Sequence, residues 1–141
     1  MKESNQTTWT VGGVFELLRR LSPLRVISVS GPSVFEAIVD FDRYGFAQGH
    51  MNAMTPAYHW HLGLDDFGWI RSYDTVHERS GRRVLFLQFA RSSDAEPFVS
   101  VYVHRAKGED FDPTRLEAFA RAHAELAEGR RLEADTREAS S

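Results

Sequence analysis

The chain has 141 residues, 42% of them apolar and 26% charged, enough for one domain with a sizeable core. Its formal net charge of -3 argues against non-specific nucleic-acid binding, which needs a concentrated positive surface. There is no cysteine, which excludes disulfides, thiolate chemistry, Cys-ligated zinc and iron–sulfur clusters, and favours a cytoplasmic setting.

No apolar run approaches transmembrane length, and MKESNQTTW lacks the basic-then-apolar pattern of a secretory signal. Neither membrane insertion nor export is expected. Of the basic residues only Lys2 and Lys107 are lysines. The rest are arginines, whose planar fork of donors suits carboxylate or phosphate.

Residues 1–9 read as a polar, frayed start. Thr10 is a candidate cap for a helix from Gly12 to Leu21, with Val14, Phe15, Leu17, Leu18 and Leu21 on its apolar face and Pro23 beyond its end. RVISV (25–29) and Val34 to Phe41 read as strands joined at Gly31-Pro32-Ser33, a hairpin. Residues 42–57 are the least regular stretch, either a pocket wall or a plain connection with a strand fragment inside. Ala57–Leu64 is a strand, and Leu64 to Gly68 a turn or single helical turn.

Three strands in a meander follow: Trp69 to Glu78, Arg83 to Ala90 and Phe98 to His104, with Ser80-Gly81-Arg82 as the tightest turn. Asp112 and Pro113 open a last helix whose stripe is Leu116, Phe119, Ala120, His123 and Ala127, ended by Gly129. His123 reads there as a packing residue. Residues 130–141 read as a charged, flexible tail. The expected architecture is one α+β domain over residues 10–129, a large antiparallel β-sheet flanked by N- and C-terminal helices.

The chemically distinctive stretch is PAYHWHLGLDDFGWIR, residues 56–71. In a period-two strand Tyr58, Trp60, Leu62 and Leu64 share one face, and His59, His61 and Gly63 the other. A face of imidazole and glycine either lines a cavity or touches another part of the molecule. His59 and His61 would sit roughly 6–7 Å apart along the strand. A closed zinc site wants about four ligands. His50, His77, Asp65 and Asp66 would have to supply the rest, and no spacing singles them out.

Heme asks for less: one axial histidine, an aromatic and aliphatic slot, and arginine for the propionates. The chain supplies His61 or His59, then Phe46, Met51, Met54, Phe67 and Trp69, then Arg71 and Arg43. No Gly-x-Ser-x-Gly elbow, phosphate loop or evident acid/base pair argues for an enzyme.

The run HWHLGLDDFGWIRSYDTVHERSGRRVLFLQF (59–89) resembles the intracellular heme-utilisation proteins of the HemS/ChuX/HutX type, in their single-domain branch. Weaker likeness runs through LSPLRVISVSGPSVFEAIV (21–39), GHMN (49–52), PFVSVYVHR (97–105) and the closing helix. The resemblance implies a large antiparallel sheet with flanking helices, a homodimer, and heme in a cleft beside the sheet. A histidine would be the iron ligand, and the heme would be passed to or from a partner protein in the cytoplasm.

On this mapping His61 matches the family's His-Leu position, so it is the expected ligand to heme iron, with His59 and His50 as competitors. Arg71 falls where longer members often carry a basic residue beside a Pro-Thr pair; here Arg71-Ser72-Tyr73-Asp74 lacks that pair. The leading expectation is a heme carrier. An interaction or small-ligand domain of the same fold is the alternative, and a heme-modifying enzyme ranks third.

Overall fold

The computed structural model describes residues 8–134. Helix α1 (Val11–Leu21) is capped by Thr10, whose hydroxyl accepts the Gly13 N–H at 3.0 Å. Val11, Val14, Phe15, Leu17, Leu18 and Leu21 are buried along one side. Strands β1 (Leu24–Ser30) and β2 (Ser33–Val39) form the expected hairpin, turning at Gly31 with φ of 57°.

The stretch expected to be least regular holds two strands, β3 (Gly45–Ala47) and β4 (His50–Met54). Gln48 and Gly49, with φ of 56° and 76°, make a two-residue turn whose twist matches its flanking strands. Strand β5 (His59–Gly63) pairs with β4, which gives a small sheet in the order β3-β4-β5. The histidine-bearing strand therefore belongs to this small sheet and not to the large one.

After one 3₁₀ turn at Leu64–Asp66 come the meander strands β6 (Trp69–Val76), β7 (Arg83–Ala90) and β8 (Val99–Val103). They join β1 and β2 in a large antiparallel sheet ordered β2-β1-β8-β7-β6-β9. Its inner face carries Leu24 and Val26, Leu85, Leu87 and Phe89, and Val99, Val101 and Val103, all buried. These share one core with α1, with α2 (Pro113–Leu126) and with Met51, Ala53 and Leu62 of the small sheet. A large antiparallel sheet with two flanking helices is the fold class expected.

Two further details differ from the sequence reading. Helix α2 buries Phe119, Ala122 and Leu126, while Ala120 is exposed. The stripe steps by three and four from Phe119, and Ala120 lies one residue, about 100° of helix rotation, off that line. His123 packs as expected: it stacks on Phe119 at 5.6 Å, and its Nδ1 meets Ser72 Oγ at 2.6 Å.

The expected tail also starts too early. Strand β9 (Arg130–Arg131) pairs with the edge of β6, and Leu132 is 6% exposed. Glu133 exchanges backbone bonds with Trp9 and Val11 at 3.0 Å each, and Trp9 Nε1 donates to Glu125 at 3.0 Å. The remaining expected flexible ends, 1–7 and 135–141, lie outside the described residues. Ending the chain after Gly129 is therefore expected to cost about 2–3 kcal/mol, mainly Leu132 burial. A urea-unfolding midpoint shows it; an unchanged midpoint contradicts the role given to β9. Among the described residues no helix is long and apolar enough to cross a membrane.

Candidate functional site

The β4–β5 register sets His50 opposite Gly63, Asn52 opposite His61, and Met54 opposite His59. Alternation puts these side chains on one face of the small sheet and Met51, Ala53, Trp60 and Leu62 on the other. His50, His59 and His61 are all exposed. The His59 and His61 rings lie 5.9 Å apart, nearly perpendicular at 83°.

Two of these imidazoles have a defined donor side. His61 Nδ1 lies 2.6 Å from the Asn52 amide oxygen, and His50 Nδ1 lies 2.9 Å from the Gln48 carbonyl. An amide oxygen only accepts, so each ring donates from Nδ1, and the neutral tautomer that does so carries its lone pair on Nε2. Metal-ligating histidines commonly show this arrangement, with an oxygen behind the ring fixing its tautomer. Among the described residues no three histidine or carboxylate side chains converge as a metal site. The face offers single imidazoles instead.

The other expected site residues are not gathered around that face. Met51 and Phe67 are core residues at 0% and 3% exposure. Phe46 is half-buried against Phe15, at 5.8 Å between rings, and Phe67 packs on Phe89 at 4.5 Å. Met51 follows His50 along one strand, so the pleat sends it to the opposite side. Trp69 lies on the large sheet against Gly129, where a Cβ would collide with its ring. Arg71 donates from Nε to the Ala127 carbonyl at 3.0 Å, with its guanidinium 5.2 Å from the Tyr73 ring. The expected slot of histidine, aromatic residues and Arg71 is thus split across two sheets.

A cleft of ≈ 450 Å³ lies beside the small sheet at Gly63; none of the three histidines lines it, so the cavity expected in front of the imidazoles is not there among the described residues. Leu62, Gly63, Ala95 and Phe98 form the cleft's apolar wall, and Asp66, Arg91 and Glu96 its polar one. Gly63 is its one link to the histidine face: a Cβ there would lie 3.9 Å from His50 Nε2. Arg91 spans to Asp66 at 3.0 Å, both side chains more than half exposed. Its place here was not legible in the sequence, because the polar loop 91–97 gives no sign of folding toward Gly63.

No protein-family model and no curated protein sequence matches the chain. Its fold does match solved structures. Protein AGR_C_4470 from Agrobacterium tumefaciens aligns with a TM-score of 0.67 at 16% identity, over 82% of this chain and 66% of its own. The heme binding protein ChuX aligns at 0.68 with 11% identity, over 82% and 72%. The heme degrading enzyme ChuS of Escherichia coli O157:H7 aligns at 0.52 with 18% identity, over 77% of this chain and only 32% of its own. The chain thus spans just under two thirds of the Agrobacterium protein and a third of ChuS. At such low identity the match speaks for architecture alone: the chain has the α+β fold of the heme binding protein ChuX.

Proposed function

We propose that the protein binds heme as cargo and carries it without turning it over, with an imidazole of the His50–His59–His61 face as iron ligand. The observation that carries this reading is the fold shared with the heme binding protein ChuX. The histidine face supports it chemically, since His50 and His61 both hold Nε2 free for iron while Nδ1 is engaged. The cleft at Gly63 offers Phe98 as an apolar flank and Arg91 as the cation for a propionate.

An exposed ligand face suits cargo that has to leave again. A second copy of the chain, a heme donor or acceptor protein, and a cytoplasmic setting belong to the same proposal. Because ChuS is a heme degrading enzyme, the fold alone does not separate carriage from turnover. Addition of hemin to the protein is expected to give a Soret band near ~400 nm that saturates at one heme per chain, and addition of a reductant should not consume the heme. Triple replacement of His50, His59 and His61 by alanine is expected to shift or weaken the band. A band untouched by that replacement removes the ligand assignment.

A further inference from the structure

A second concavity, of ≈ 370 Å³, lies at one end of the large sheet, between the β6–β7 turn and the segment after β8. Its floor is apolar and flat: Ile27, Val84 and Tyr102 line it, and Tyr102 stacks on Phe86 at 4.5 Å and 24°. Its walls are cationic. Arg25, Arg82, Arg83 and Arg105 line it against a single carboxylate, Glu36. That is a reversal of the chain as a whole, whose net charge is -3.

Partial neutralisation leaves the balance positive. Arg25 meets Glu36 at 3.5 Å, and Arg83 is held bidentately by Asp74 at 2.9 and 2.7 Å. Arg105 lies over the Phe111 ring at 3.9 Å and gives one N–H to the Arg83 carbonyl at 2.8 Å, which leaves its other donors unspent among the described residues. Arg82 has no carboxylate partner among the described residues. The lining residue His104 registers the same field: burial first, then Arg25, Arg115 and Arg82, holds its pKa below the ordinary imidazole value.

Guanidinium groups converging on a small concave site with an aromatic floor are suited to acidic oxygens attached to a flat apolar body. We infer that this cleft binds a small organic anion, a carboxylate or phosphate on a planar apolar group, with Arg82 and Arg105 holding the acidic oxygens and Tyr102, Val84 and Ile27 bedding the body. This site is separate from the histidine face and does not rest on heme carriage. Its size suits a small molecule and not a nucleic-acid strand.

The test is a calorimetric titration at low ionic strength with 1-naphthyl phosphate, 2-naphthoate and the uncharged control 2-naphthol. At least one anion is expected to bind and naphthol is not, and the two anions tell phosphate from carboxylate. Arg82→Gln, at an exposed position, is expected to weaken binding about tenfold or more. Glu36→Gln is expected to tighten it, because it releases Arg25, a gain that a merely disrupted fold would not produce. The hemin Soret band is expected to be unchanged in Arg82→Gln. Failure of both anions to bind at millimolar concentration, equal binding of naphthol, or affinity indifferent to both substitutions overturns the inference. Loss of the Soret band in Arg82→Gln overturns it too, since heme itself would then occupy the cleft.

Discussion

Replacing Phe15 with alanine is expected to destabilise the fold by about 3–5 kcal/mol, the range for a large buried aromatic whose cavity only partly collapses. Phe15 is 0% exposed and sits where α1 meets both sheets. Its ring centroid lies 6.0 Å from Phe41, 5.9 Å from Tyr44, 5.8 Å from Phe46 and 5.1 Å from Phe67. Those partners come from the segment after β2, from β3 and from the turn before β6. One side chain therefore anchors the small sheet to α1 and to the entrance of the large sheet. A Phe15→Leu variant keeps most of the volume and is expected to cost less than half as much. Urea unfolding of the two variants measures both values. Equal and small losses would mean that the small sheet is not held through this cluster.

Arg115→Met is the second large effect, expected at about 3 kcal/mol by the same measurement. Arg115 is at the start of α2, and its guanidinium reaches three backbone carbonyls: Leu21 at 2.9 Å, Pro23 at 2.7 Å and His104 at 2.8 Å. Those carbonyls belong to the end of α1, the approach to β1 and the exit from β8. A single charged fork therefore ties the end of α1 to the β1–β8 pair, where the His104 N–H already donates to the Pro23 carbonyl at 3.1 Å. Arg115 is half-buried, and that burial pulls its pKa below the ordinary value. Hydrogen bonds from a charged donor contribute about 1.5–3 kcal/mol, and acceptors left unpaired away from water add their desolvation cost. Methionine retains much of the packing and removes every donor. Arg115→Lys keeps the charge but cannot span three acceptors with the same fork, and should recover only part of the loss.

Much of the fold was legible because its signals are local. Thr10, the Asp112-Pro113 pair and Gly129 mark helix ends through caps and backbone geometry that neighbouring residues decide. The meander is legible because β7 is apolar on both faces and Gly81 makes the turn before it. The small sheet was not, because β3 and β4 are short and their alternation is broken by Gln48-Gly49, whose positive φ values read as irregular chain. Strand β9 was missed for a different reason. Arg130 and Arg131 pair with Ile70 and Trp69 through the backbone, and Leu132 is one apolar residue among charges. No periodicity marks such a strand; only the open edge of β6 explains it.

The candidate site divides along the same line. Alternation within 59–63 correctly places His59 and His61 together, since it depends only on the pleat. Without β4, nothing told that His50 and Asn52 stand across from Gly63 and His61, or that Met51 faces the core. Phe46, Phe67, Trp69 and Arg71 fit the needs of heme by residue type, and Arg71 also by the family resemblance, and neither signal carries position in space. The chain carries Phe67, Trp69 and Arg71 away by passing from the small sheet to the large one at Leu64–Asp66, and the pleat sends Phe46, opposite Met51, to the core side of the small sheet. The arginine cleft was invisible for the converse reason: Arg25, Arg82 and Arg105 are far apart in sequence and meet only because β1, β7 and β8 are neighbours.

The central claim is that heme is carried on the small sheet. It is tested most directly by adding gallium protoporphyrin, a diamagnetic stand-in for heme, to the isotope-labelled protein and recording backbone and imidazole chemical shifts. The account predicts that the largest shifts fall on residues 45–63 and on the cleft residues Arg91 to Phe98, with the Nε2 signal of His50, His59 or His61 displaced by coordination. Shifts concentrated around Arg82, Tyr102 and Arg105, or no shifts at one equivalent, would contradict it.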